Sequence, residues 1–184
     1  MKNDLVLNYA RALYNLGKKN KKELEYINYL QYVIDTLDKT KTNSDLTAVD
    51  IFSMPNLNKS KKLELLKKLI LENTDSDFVE YINIVIQNHR INILIDILSE
   101  YKKIVYNKKN ILVVQVISAY PLDQGIFKKI KEILLKRYMA SDAIFYQGID
   151  LNLIGGIKLI INDEIVIDDT ILSKLSKLNK LIGE

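Results

Sequence analysis

No cysteine occurs in the 184 residues, and histidine occurs once, at His89. The first absence excludes disulfides and thiolate metal sites, and the second excludes multi-histidine zinc or iron sites. Both fit an intracellular setting. Arginine is scarce as well: Arg11, Arg90 and Arg137 leave 24 of the 27 basic residues as lysine. Planar arginine is the better bidentate reader of phosphate and guanine. The lysine clusters at 18–22, 59–62 and 128–131 are separated and interleaved with apolar helix formers. The net charge of +4 therefore reads as solvated helix faces, and no nucleic-acid partner is expected. Nowhere do roughly 18 apolar residues run without a charge, so no membrane-spanning helix is expected and any membrane link is indirect, through a partner. The first 16 residues have the pattern of an amphipathic folding segment and lack the pattern of a secretory signal.

What remains, 48% hydrophobic and 27% charged residues, is the balance of a globular protein with one ordinary domain or two small ones. Up to residue 106 every periodic segment spaces its apolar residues by three and four, which predicts six helices at 4–17, 21–37, 45–52, 59–71, 75–88 and 92–106. Gly17 suits a C-terminal cap, Pro55 blocks continuation between the third and fourth helices, and Asn58, Asp75 and Asn92 suit N-caps. Residues 107–110 form a linker. The β-branched run at 111–117 then predicts a buried strand, followed by a helix from 121 or 122 to 138 and a strand at 143–149. Strands at 156–161 and 164–167, joined by Asn162-Asp163, predict a hairpin. A last helix, capped by Asp169 or Thr170, carries the stripe Ile171, Leu175, Leu178 and Ile182. The expected class is α+β, with a six-helix bundle at 1–106 and a small mixed α/β domain at 111–184.

Catalytic constellations are missing. There is no phosphate loop, dinucleotide glycine triplet, metalloprotease helix or thiol nucleophile, so no enzyme, cofactor or metal is expected. His89 continues the stripe Phe78, Tyr81, Ile82, Val85, which makes it a core or rim histidine before a general base. Asp168-Asp169 stands where a strand hands over to a helix, where capping explains a carboxylate. Gly155-Gly156 has no following helix with Lys-Ser or Lys-Thr, so a tight turn or bulge is expected there.

The first helix is apolar nearly all round. Leu5, Tyr9, Ala12 and Leu16 make one stripe, Val6, Ala10 and Leu13 widen it, and Leu7 and Tyr14 lie opposite. In the fifth helix Phe78, Ile82, Val85 and Ile86 suffice as a core stripe, while Tyr81 and Ile84 project away from its centre. Such surplus fits either a groove for a partner's amphipathic helix or a bundle with a slightly greasy surface.

Several segments resemble the delta subunit family of the rotary F-type ATP synthase, the family of the oligomycin-sensitivity-conferring protein. They are Tyr9-Ala10-Arg11-Ala12-Leu13, Pro55 with Lys62, Asn88 with Arg90, and Ser118-Ala119-Tyr120-Pro121-Leu122. The most recognisable stretch is Asp150 with Leu153-Ile154-Gly155-Gly156-Ile157, then Ile167-Asp168-Asp169-Thr170. Leu151, Asp169-Thr170 and Leu172 depart from the family's usual proline, Gly-Ser and basic residue. The resemblance implies a non-catalytic stator subunit that resists rotor torque during proton-driven ATP synthesis, one copy per complex. It implies an alpha-subunit N-terminal helix held in a groove lined by Tyr9, Ala12, Leu13, Leu16, Tyr81, Ile84 and Asn88. It also implies that the second domain holds the C-terminal end of the b-subunit stalk. The implied place is peripheral, on the cytoplasmic face of a bacterial inner membrane, or on the matrix face for a processed mitochondrial form. The alternatives are an unrelated helical scaffold for an amphipathic helix and, behind it, a basic nucleic-acid module.

Overall fold

Val6, Ala10, Leu13 and Gly17 recur at helical spacing and are all buried, and they set the inward stripe of helix α1, Lys2–Asn20. The computed structural model describes residues 2–39 and 75–171. The chain divides into two compact units, Met1–Val105 and Tyr106–Glu184. In the first, α1 is followed by α2, Glu23–Lys39, α3, Ser76–Gln87, a single 3-10 turn Ile91–Ile93, and α4, Leu94–Lys108, whose last turn enters the second unit. The helices expected at 45–52 and 59–71, with Asn58, Pro55 and Lys62, lie outside the described residues, as does the stripe Leu175, Leu178, Ile182. The architecture mixes helix and sheet, consistent with the α+β class. A six-helix bundle is not shown, because the described residues contain five α-helices in all, four of them starting in the first unit.

Gly17 does not cap α1. The helix runs three residues further and closes on Lys21 at φ 57°, with the Lys22 N–H donating to Gly17 O at 2.8 Å. Gly17 is where α1 meets its neighbours. A Cβ there would lie 2.9 Å from the Tyr101 hydroxyl, 3.1 Å from Glu23 Cα and 3.3 Å from the Tyr26 ring. The sixth expected helix also starts late: Asn92 falls inside the 3-10 turn and caps nothing.

A polar network ties the C-terminal end of α1 to α2 and to the start of α3. Asp75 is the N-cap of α3, accepting from Asp77 N at 3.1 Å. The Tyr26 hydroxyl donates to its other oxygen at 2.8 Å, and the Asn20 amide donates to Tyr26 at 2.8 Å while lying 3.2 and 3.1 Å from the carboxylates of Asp75 and Asp77. Lys22 and Lys19 stand 3.5 and 3.6 Å from the same two carboxylates. Burial alone would raise the Asp75 carboxyl, but the bonds from Tyr26 and Asp77 N and the Lys22 ammonium outweigh it and hold it below its ordinary value. Burial is also the main reason the Tyr26 hydroxyl is pushed up to about 12.

In the second unit, Asn110 at φ 53° turns the chain directly from α4 into β1, Ile111–Ser118, so the expected linker is a helix end and a turn. The Asn110 side chain donates to Met139 O at 2.7 Å, pinning this turn to the one that follows α5, Gln124–Tyr138. Helix α5 crosses over to β2, Asp142–Ile149, which pairs parallel with β1. Strand β3, Ile157–Ile161, pairs antiparallel with β1 and with β4, Ile165–Asp168, giving the order β2-β1-β3-β4. Asn162 and Asp163 turn this hairpin at φ 52° and 59°. The side-chain oxygen of Asn162 also accepts from Val113 N at 2.9 Å. One face of the sheet buries Leu112, Val114, Val116, Leu159 and Ile161 against Ile130 and Leu134 of α5.

Replacing Gly17 by alanine gains about 1 kcal/mol of helix propensity. It also forces a methyl against a backbone atom and against a hydroxyl fixed by its 2.8 Å donation to Glu23 O. The expected outcome in chemical denaturation is a net loss of about 1–3 kcal/mol. Asp75 gives a pH signature. Its carboxyl lies below the ordinary 3.8, so its contribution is present above that value and is lost as pH falls through the folded value. The stability gap between wild type and Asp75→Asn should be about 1–3 kcal/mol at pH 7 and should close below pH 3.8. A gap that does not change with pH would show that the charge contributes nothing. At the alkaline end the Tyr26 contribution is full below pH 10 and is lost as pH rises through about 12.

Candidate functional site

Around an α-helix each residue advances by about 100°. With the inward stripe of α1 on Val6, Ala10, Leu13 and Gly17, the residues Leu5, Tyr9, Ala12 and Leu16 fall on one flank, and Leu7 and Tyr14 on the other. Leu5, Tyr9 and Leu16 are half-buried and Ala12 is exposed. Leu7 and Tyr14 are half-buried too, and Leu7 borders a cavity of about 420 Å³ shared with Asp96, Ser99 and Glu100 of α4. The apolar excess of α1 is thus divided between two sides of a fully buried centre.

Helix α3 runs antiparallel to α1, since Asp77 meets Asn20 at one end while Tyr81 and Asn88 meet Tyr9 further along. Phe78, Ile82, Val85 and Ile86 form its buried stripe. Tyr81, Ile84 and Asn88 lie together on the flank beside Tyr9. The Tyr9 and Tyr81 rings meet edge to face, centroids 6.5 Å apart at 77°, an arrangement worth about 0.5–1.5 kcal/mol beyond area burial. The Tyr81 hydroxyl donates to Tyr9 O at 3.1 Å, and the Asn88 amide donates to the Tyr9 hydroxyl at 3.3 Å. Burial drives the Tyr81 hydroxyl well above its ordinary value, with the Tyr9 and Tyr101 hydroxyls adding to the shift, so it stays a neutral donor.

The seven residues expected to line a groove therefore do not share one role. Ala12, Ile84 and Asn88 are exposed, Ile84 at 47%, while Tyr9 and Leu16 are half-buried. Leu13 has no exposed surface and Tyr81 only 7%, so these two support the face from beneath. His89 is not a core residue: it is exposed at φ 55°, the left-handed residue that ends α3, with its N–H donating to Ile86 O at 2.9 Å. Sequence reasoning missed the partners of Asp75. The capping signal was visible, but Tyr26 and Asn20 lie 49 and 55 residues away from it.

Of the marker turn, Asp150 accepts from the backbone and side-chain nitrogens of Asn152, both at 3.0 Å. Gly156, at φ 84°, lies directly against the Asp169 and Thr170 backbone, where any Cβ would collide. Gly155 O accepts from Ile171 N at 3.0 Å. This turn packs against Asp169, Thr170 and Ile171, the last described residues. Among the described residues no group of three or more His, Cys, Asp or Glu is placed to hold a metal ion. Nor is any described helix long and apolar enough to cross a membrane.

Residues 6–182 match the family described as ATP synthase delta (OSCP) subunit. The chain is similar to the ATP synthase subunit delta of Clostridium beijerinckii, 30% identical with 99% of this chain and 98% of the relative covered. It is similar as well to that of Caldanaerobacter subterraneus subsp. tengcongensis, 29% identical over 98% and 97%. Its fold resembles a chain in the structure of the Toxoplasma gondii mitochondrial ATP synthase hexamer, with TM-score 0.69, 18% identity and 98% of both chains covered. Matched along nearly its whole length, the chain belongs to the ATP synthase delta (OSCP) subunit family, a non-catalytic stator component of the rotary enzyme that links its catalytic head to the peripheral stalk.

Proposed function

We propose that the α1–α3 face of the first unit receives the N-terminal helix of an alpha subunit, and that the second unit holds the C-terminal end of the b stalk. One copy serves each complex. The place is the cytoplasmic face of a bacterial inner membrane, a reading supported by the two bacterial relatives. The observation that carries the alpha-subunit reading is Ile84. It is a large apolar side chain, 47% exposed, on a flank whose backbone is fixed by the Tyr81–Tyr9 hydrogen bond and the Asn88–Tyr9 contact. An amphipathic helix laid along α1 and α3 would cover Ile84, Ala12 and the accessible edges of Tyr9 and Leu16, at about 25 cal/mol per Å² of apolar surface before ordering costs.

A stator component must hold without turning over. Two docking surfaces on one chain serve this, since a partner complex released at one surface stays at high effective concentration near it while the other holds.

The test is calorimetric titration of the full chain with a peptide of the alpha-subunit N-terminal helix from the same organism. One-to-one binding is expected, weakened roughly tenfold or more by Ile84→Asp, because a charge replaces an apolar anchor. Ile84 is exposed enough for circular dichroism of the variant to match wild type. Equal affinity of the two proteins, or no binding by wild type, removes the assignment.

A further inference from the structure

Helix α5 has a flank that the sheet does not use. Ile130 and Leu134 turn into the core and are buried, and Phe127 packs beside them. At about 100° per residue, Ile126, Lys129, Ile133, Lys136 and Arg137 fall within an arc of about 100° beside that stripe. The arc lies on the side opposite Lys131, whose ammonium pairs with Asp142 of β2. All five residues are exposed, Ile126 at 36% and Ile133 at 62%, and Met139, which ends the helix at φ 49°, is 85% exposed. An exposed isoleucine serves neither the core nor the helix, because its branched side chain loses rotamer freedom against the preceding turn. A single one needs no explanation; two in line along the axis, with a methionine at the helix end, form an apolar line.

The charges on this flank indicate what covers it. Helix α5 carries Lys128, Lys129, Lys131, Lys136 and Arg137 against one carboxylate, Glu132. Among the described residues Lys131 alone of these five cations is ion-paired, and the Arg137 guanidinium lies 6.0 Å from the centre of the Tyr138 ring. The helix dipole accounts for Lys136 and Arg137 in the last turn, but not for Lys128 and Lys129 in the second. By the same helical spacing Glu132 falls outside the arc, so the isoleucines are bordered by cations alone. An apolar line edged with lysine and arginine suits the interface of an anionic bilayer, where alkyl groups enter the headgroup boundary and cations meet the phosphates. A nucleic acid would satisfy the cations and leave the isoleucines in water. The lack of a described helix able to span a bilayer leaves attachment to its surface open.

We propose that the free chain adheres to an anionic lipid surface through this flank of α5, with Ile126 and Ile133 seated between headgroups and Lys129, Lys136 and Arg137 against their phosphates. The contact is one of the chain before assembly and does not depend on the alpha-subunit or stalk reading.

The probe is vesicle sedimentation of the full chain at low salt, with phosphatidylcholine alone and with phosphatidylcholine mixed with phosphatidylglycerol. The chain should pellet with the anionic vesicles and partition roughly tenfold or more weakly onto the neutral ones. Lys129→Glu combined with Lys136→Glu should lower partitioning onto anionic vesicles roughly tenfold or more. Arg11→Glu combined with Lys18→Glu makes the same change of charge at exposed positions of α1 and should lower it by under about threefold. All these side chains are exposed, so circular dichroism of the variants should match wild type. The chain has no tryptophan, so Ile133→Trp supplies a single indole. Its emission should shift to the blue on anionic vesicles and be quenched by lipids brominated along their acyl chains. No pelleting of wild type with anionic vesicles overturns the proposal and leaves the flank to a protein partner. Equal loss in the two charge-reversed pairs overturns it by assigning adhesion to net charge, and an indole that stays in water overturns it by assigning adhesion to the phosphates alone.

Discussion

The first unit depends on how closely α1 approaches its neighbours at Gly17. Three groups from two other helices, the Tyr101 hydroxyl, the Glu23 backbone and the Tyr26 ring, lie within 3.3 Å of the place a Cβ would take. The contact fixes α1 in rotation as well as position, because Gly17 belongs to the same stripe as Val6, Ala10 and Leu13. Once that stripe is central, Tyr9 must emerge on the flank beside α3, where Tyr81 and Asn88 hold it. The exposed face with Ile84 is thus a consequence of core packing elsewhere. The same turn of α1 leads to Asn20, whose amide reaches Tyr26 and the two carboxylates at the start of α3, so the register of α3 against α1 is set at the opposite end from Tyr9.

Helical and strand periods were legible in the sequence wherever many residues vote together. The β-branched run from Ile111 and the apolar spacing of Phe78, Ile82, Val85 and Ile86 placed their elements to within a residue or so of the observed ends. Single residues were harder to read, for physical reasons. Gly17 carried a capping signal, but a glycine is also demanded by close approach, and only three-dimensional packing separates the two uses. His89 carried the right spacing for a core residue, but it falls just after the helix ends, where spacing no longer determines a face. Leu13 and Tyr81 illustrate the limit for sites: periodicity assigns a side of the helix, not the depth to which a residue sinks on it. Hydrogen-bond partners across 49 or 55 residues leave no local trace at all.

In the second unit the marker segment has a structural logic that sequence motifs do not disclose. Gly156 tolerates no side chain because the backbone of Asp169 and Thr170 crosses directly over it. Asp150 braces the loop by accepting from Asn152 and by donating its own N–H to the end of β1. Neither residue has to contact a partner to be required. Their effect is to brace a loop on which Leu151 and Ile154 remain exposed, at 85% and 63%.

Mechanical holding asks for directional contacts inside the subunit as much as for area at its surface. Apolar packing is weakly directional, and a helix held by it alone can shift or rotate at modest cost. The tyrosines of the first unit answer this. Tyr26, Tyr81 and Tyr101 bury their rings like any core aromatic, and each hydroxyl donates to a defined oxygen, on Asp75, Tyr9 and Glu23 respectively. Breaking any of these bonds would strand a polar atom in a buried setting, at a cost of about 1–3 kcal/mol. Among the described residues no buried side-chain nitrogen or oxygen lacks a partner, so this penalty opposes displacement at every such point. Within the first unit α1 is thus tied to α2 and α3, and α4 to α2, by hydrogen bonds of fixed direction.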